Sequence, residues 1–139
     1  MGTRGMMFFL VILAVLALLA VYVRVAPSDP AKWHIAAPFD QNSDGENSAR
    51  RIVQTGPDGL NRLHEIARRT PRTTVLAGSL EDQMITYVTR SQLLSYPDYT
   101  TVQQSGDTLK INARSRFGKK DFGVNAKRVE AWIRALEGR

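Results

Sequence analysis

The sequence predicts an α+β domain behind one transmembrane helix. The domain is expected to be a four-stranded antiparallel sheet with two helices packed on one face, in the order α-β-β-β-β-α. Three observations predict it. An uncharged apolar run fills residues 6–23, two later segments carry apolar residues at helical spacing, and four segments between those two are rich in β-branched residues and bounded by turn formers. The expected divisions are 1–24 for the anchor, 25–54 for a flexible tether and 55–139 for the small α+β domain.

The apolar run M-M-F-F-L-V-I-L-A-V-L-A-L-L-A-V-Y-V has 18 residues without charge, Gly or Pro. As a helix it would be about 27 Å long at 1.5 Å per residue, close to the ~30 Å hydrocarbon core of a bilayer. A cleaved signal peptide has a shorter apolar region of about 7–15 residues and then a small-x-small site. Neither Leu18-Leu19-Ala20 nor Tyr22-Val23-Arg24 provides one. Arg4 on one side and Arg24 with Lys32 on the other nearly balance the positive-inside count. A following domain of more than about 60 residues translocates largely regardless of charge. The expectation is therefore a single-pass inner-membrane protein with its domain in the periplasm.

In the segment expected to be a tether, Pro27, Pro30 and Pro38 interrupt helices. Residues 40–48, D-Q-N-S-D-G-E-N-S, are nearly all turn formers. Tyr22 and Trp33 are placed to sit at a membrane interface. Asp40, Asn42, Asp44 and Gly45 match the opening of a calcium loop. The twelfth position must supply a bidentate carboxylate, but Arg51 stands there, so the stretch reads as an Asx-rich turn.

Within the domain, Leu60, Leu63, Ile66 and Ala67 share one face of a helix expected over about 56–69, with Thr55 and Asp58 spaced as a capping box. Strands are expected over Thr73–Ser79, Gln83–Arg90, Asp98–Gln104 and, after the turn Ser105-Gly106-Asp107, over T-L-K-I-N-A-R-S-R. In the last strand Leu109, Ile111, Ala113 and Ser115 point one way, and Lys110, Asn112, Arg114 and Arg116 the other. This alternation predicts one buried and one wet face. The segment S-Q-L-L-S-Y-P at 91–97 fits a longer strand, a bulge or a cover over one end of the sheet. The final helix carries Val129, Trp132, Ile133 and Leu136 at i, i+3, i+4, i+7. Asn125 is its expected N-cap, with a Val124–Val129 staple and a Glu130–Arg134 pair.

Net charge is +6, and residues 110–139, ending at Arg139, hold nine basic against three acidic residues. Beside a membrane such an excess attracts anionic head groups. The chain has no Cys, which removes disulfides, thiolate catalysis and cysteine metal sites. His34 and His64 stand 30 apart without a ligand pattern, so neither a metal nor another cofactor is expected. Asp121-Phe122-Gly123 matches a kinase magnesium motif, with nothing else of a kinase around it. Phe117 and Phe122 among basic residues have a composition that suits nucleic acid, but the anchor argues against such a partner.

The stretch S-R-F-G-K-K-D-F-G-V-N-A-K-R-V at 115–129 is the expected strand-to-helix junction. Two readings of it stand side by side. In one, Arg116 and Arg128 pair with Asp121 and stitch the strand to the helix. In the other, the helix N-terminus and its basic surroundings hold an anion. The candidate residues are Arg114, Arg116, Gly118, Lys119, Asp121, Gly123, Asn125 and Arg128.

The run R-F-G-K-K-D-F-G-V-N-A-K-R-V-E, with T-R at 89–90 and P-D-Y-T-T-V at 97–102, resembles the domain of unknown function 1499 family over roughly residues 50–139. The resemblance implies one folded domain, often behind a bacterial membrane anchor, and implies no activity. Arg116, Gly118, Asp121, Gly123, Asn125 and Arg128 match its motif. The functional expectation is a non-enzymatic envelope protein that binds an anionic ligand, a lipid head group or a protein partner. The alternatives are an enzyme with Asp121 as acid or base, and a structural subunit of an envelope complex.

Overall fold

A computed structural model of the protein describes residues 2–36 and 38–138. Arg139, counted above in the basic tail, lies outside the described residues. Among these residues the elements are α1 (Thr3–Val25), α2 (Pro30–Trp33), β1 (Ser43–Gly45), β2 (Ser48–Gln54), α3 (Gly59–Arg69), β3 (Thr73–Ser79), β4 (Met84–Arg90), β5 (Pro97–Ser105), β6 (Thr108–Ser115) and α4 (Val124–Leu136). The strands form one antiparallel sheet in the order β1-β2-β6-β5-β4-β3.

The class is α+β as expected, but the sheet has six strands where four were expected, and there are four helices. Both extra strands lie in the segment expected to be a flexible tether. In β2, Ala49, Arg51 and Val53 pair with Ala113, Ile111 and Leu109 and share the helix-facing side. An arginine at the middle inward position breaks the apolar alternation that identifies a strand. Its charge is met there, because Arg51 Nε donates to Glu130 Oε1 at 2.6 Å and Nη1 to Asp44 Oδ1 at 2.7 Å. The hydrogen bond to Asp44 is the largest influence on Arg51 and raises its pKa further. Asn42 Oδ1 accepts from the Ile52 amide at 2.8 Å. The calcium-like residues Asn42 and Asp44 thus tie β1 to β2.

The core lies between the sheet and α3 with α4. Leu63, Ala67, Ile85, Val102, Leu109, Ile111, Ala113, Val129 and Trp132 are all buried there. Burying such side chains stabilises by about 1.5–3 kcal/mol each. Trp132 Nε1 donates to Thr70 Oγ1 at 2.9 Å, so its polar edge is satisfied. Tyr87 reaches the same core from β4, meets Trp132 edge-on, and shares a 2.8 Å hydrogen bond with His64 Nδ1.

The second face of the sheet is covered too, which corrects the expectation of a wet face. Residues 26–36 cross it as a strap, and Phe39 also lies against it. Asp29 caps α2, its Oδ1 accepting from the Ala31 amide at 3.0 Å, and Pro30 occupies the first helical position, where its missing N–H costs nothing. Trp33, expected at a membrane interface, instead stacks on Tyr99 with centroids 4.1 Å apart. His34 Nδ1 lies 2.8 Å from Thr86 Oγ1, and Lys110 Nζ donates to the Phe39 carbonyl at 2.8 Å. The basic residues of this face therefore hold the protein's own carbonyls.

The sheet edges are blunted. β1 is three residues long, and β3 carries an irregularity between Val75 and Ala77.

Candidate functional site

The junction from β6 to α4 occupies one end of the sheet. The same end carries the β1–β2 turn, the loop 91–96 and the end of α1. Gly118 (φ +88°) and Gly123 (φ +79°) adopt the left-handed region, which glycine enters freely. Phe122 between them also has positive φ, +54°, and is 87% exposed.

Gly123 stands at the N-cap of α4, in place of the expected Asn125, and the side chain of Asp121 two residues before it supplies the capping bonds. Gly123 N donates to Asp121 Oδ1 at 2.9 Å, and Asn125 N donates to Oδ2 at 3.1 Å. Asn125 is inside the helix and fully buried. Its Nδ2 donates to Asp121 Oδ2 (2.8 Å) and Ser115 Oγ (2.9 Å), with a longer contact to the Asn47 carbonyl (3.3 Å). Its Oδ1 accepts from Arg128 Nη1 at 3.0 Å. Val124, the first helical residue, is half-exposed, so it does not stand at the position a staple requires. The Thr55–Asp58 box does not form either. Thr55 Oγ1 donates to the Gly56 carbonyl at 2.8 Å, and Asp58 makes no side-chain cap bond to α3.

The expected Arg116–Asp121–Arg128 stitch is rearranged because the Asp121 oxygens are taken by amides. Arg128 Nη2 instead donates to Asp98 Oδ2 at 3.0 Å, with 12% and 14% of the two side chains exposed. Arg116 Nη1 donates to the Pro27 carbonyl at 2.9 Å and lies 3.3 Å from Tyr99 Oη. Arg114 donates to Thr101 Oγ1 at 2.8 Å and to the carbonyl of Trp33. Burial pushes the Arg114 pKa down to about 10, partly countered by Tyr99 and reinforced by Arg50. Glu130 likewise pairs with Arg51 in place of Arg134.

The structure thus sorts the eight candidates into groups. Asp121, Gly123, Asn125 and Arg128 form one hydrogen-bonded lock. Arg114 and Arg116 hold the strap on the other face. The Gly118 carbonyl accepts from Asn47 Nδ2 at 3.2 Å. Lys119, with its neighbour Lys120, is exposed and makes no hydrogen bond or ion pair among the described residues.

Three lock members escaped the sequence reading: Asn47, Asp98 and Ser115. Asp98 carried a signal, an acid directly after Pro97 at a strand start. Asn47 was hidden among the turn formers of 40–48. Chemically the lock is a closed circuit in which every acid and amide has a partner, the condition under which a buried polar network is stable. No cluster of three or more metal-ligating side chains occurs among the described residues. An open cleft of about 540 Å³ lined by His64, Val75, Leu80 and Ile85 lies at the β3 edge, away from the junction.

No curated protein matches the chain. The family described as "Protein of unknown function (DUF1499)" matches residues 23–136, from the last turn of α1 to the last turn of α4. With that match spanning the whole folded region and the junction motif inside it, the chain belongs to the DUF1499 family.

Proposed function

We propose that the chain is a single-span membrane protein of the cell envelope whose periplasmic domain works by binding rather than by catalysis. The observation that carries this reading is how the last turn of α1 is built into the domain. Val23 and Ala26 are buried. Arg90 donates to the Val23 carbonyl at 3.4 Å, and Arg24 to the Leu93 carbonyl at 3.3 Å. The Tyr22 and Phe117 rings meet edge-on at 6.2 Å. As a whole α1 is a 23-residue helix whose apolar stretch has a mean hydropathy of 3.0 and is only 6% buried. Such a helix, apolar on all sides, is stable when lipid surrounds it. Cleavage at its end would sever contacts that the domain makes.

The engagement of both Asp121 oxygens favours a cap over a general acid or base. Three of the roughly four lone-pair sites of this carboxylate accept from the chain's own amides. The ligand is an anion, a lipid head group or a protein partner, and Lys119 with Lys120 are exposed cations of the junction.

Expression of the full chain in a bacterial host tests the anchor. The expected result is an alkali-resistant membrane protein with the intact mass of 15.5 kDa. A shortened, soluble product overturns it. Protease added to spheroplasts should digest the domain, and protection overturns the periplasmic side. In-cell crosslinking of the full chain then identifies what it binds.

A further inference from the structure

Charge is distributed unevenly along the strand axis. The end of the sheet that meets α1 carries Arg24, Arg69, Arg72, Arg90, Lys119 and Lys120, contributed by α1, α3, β4 and the connecting loops. Of the acids there, Asp98 is paired with Arg128 and Asp121 caps α4; Glu46 stands in the β1–β2 turn. The opposite end carries Glu81 and Asp82 between β3 and β4 and Asp107 between β5 and β6, while Asp58 before α3 is paired with Arg62 at 3.3 Å. The domain is therefore positive toward its helix α1 and negative away from it.

The positive end is also where apolar side chains stand in the open. Leu93 is 85% and Phe122 87% exposed, and Leu94 and Tyr96 are more than a third exposed. Leu93, Leu94 and Tyr96 are exposed together on one loop, and apolar side chains exposed as a group mark an interaction site. Both loops are joined to the last turn of α1. Arg24 bonds the Leu93 carbonyl, and Phe117 contacts Tyr22 on one side and Tyr96 on the other.

We infer that this end of the domain is seated on an anionic phospholipid surface, with Leu93, Leu94 and Phe122 at head-group depth and Lys119 and Lys120 on lipid phosphates. The inference rests on the anchored reading of α1, because a spanning α1 brings these two loops to the interface. Leu and Phe sink into the head-group boundary of such a surface, and basic side chains meet its phosphates. Charge complementarity selects anionic lipid as the occupant. The acidic far end faces away from it.

The chain has no Cys, so single-cysteine variants can be labelled cleanly. Full-length Leu93→Cys, Phe122→Cys, Asp107→Cys and Leu13→Cys carry an environment-sensitive fluorophore. They are reconstituted in vesicles of phosphatidylcholine with or without phosphatidylglycerol, and lipid-borne quenchers are added. The expected result is quenching at 93 and 122 that strengthens with phosphatidylglycerol, an aqueous signal at 107, and a buried signal at 13. Replacing Lys119 and Lys120 together by Gln should weaken the seating equilibrium roughly 25-fold, at about fivefold per basic residue. Signals at 93 and 122 as aqueous as at 107 overturn the inference. Equal quenching with and without phosphatidylglycerol overturns the anionic assignment. Probes that stay aqueous in both kinds of vesicle but are shielded in native membranes point to a protein partner and overturn it as well. Loss of burial at 13 sinks the anchor itself, whereas a buried 13 with wet 93 and 122 sinks only the seating.

Discussion

Asp121 and Asn125 close the first turn of α4 on each other: one carboxylate oxygen accepts both the Asn125 amide, at 3.1 Å, and its side-chain Nδ2, at 2.8 Å. This pair converts a helix terminus with unsatisfied donors into a sealed junction, and it passes the constraint to Ser115 on β6 and Arg128 one turn on. Asp121→Ala should therefore destabilise the full-length protein by about 1–3 kcal/mol. Asn125→Ala should cost at least as much, because its site is fully buried. Thermal unfolding in detergent micelles is the measurement. Unchanged stability in both variants would show that the junction is not a structural lock.

Arg128 and Asp98 supply a second test. Their side chains are almost wholly withdrawn from water, so removing one charge strands the other. Arg128→Ala should cost about 3–5 kcal/mol. Replacing both together by apolar residues of similar size should recover much of that loss. A double-mutant cycle decides, and purely additive losses would contradict a coupled pair.

The strap is tested at Trp33. Its ring lies on Tyr99, and its carbonyl receives Arg114. Trp33→Ala should cost about 2–3 kcal/mol through lost area and stacking. It should also open residues 27–36 to limited proteolysis while α3 and α4 stay protected. Equal cleavage in both proteins would mean that Trp33 does not hold the strap.

Alkaline pH separates two buried groups of opposite sign. Burial raises the Tyr87 hydroxyl above its usual value of 10.0. The unfolded state then releases that proton first, so stability present below pH 10 is lost as pH rises. Arg114 has a folded pKa of about 10 against 12.5. Here the unfolded state keeps its proton longer, so stability rises between those values. Tyr87→Phe should thus flatten the alkaline loss of stability above pH 10. Chemical denaturation of both proteins from pH 8 to 11.5 measures it, and parallel curves would refute the assignment.

The elements that sequence made legible share one property: their partners repeat at short, regular spacing. Leu109, Ile111 and Ala113 alternate, and Val129, Trp132, Ile133 and Leu136 recur at helical intervals, so β6 and α4 could be placed without knowing what they touch. β2 was opaque because its central inward residue is Arg51, whose partner Glu130 lies 79 positions away. The strap was opaque for a similar reason. A single Trp among prolines says nothing of Tyr99, and only that long-range stack turns a tether into a layer. At the junction the residue types were readable but their pairing was not. Charge alone suggested that Asp121 would seek arginines. Two nearby amides offered better geometry, and Arg128 found an acid that opens a different strand.

The strap has a mechanical consequence. Because residues 26–36 are pinned across the sheet directly after α1, no slack chain separates the helix from the domain. An anchored domain of this build cannot swing or search as a bead on a string. The sheet is about 30 Å long along β5, nine residues at ~3.4 Å per residue. With α1 in a bilayer as proposed, the acidic far end of the domain is held in one fixed orientation to it.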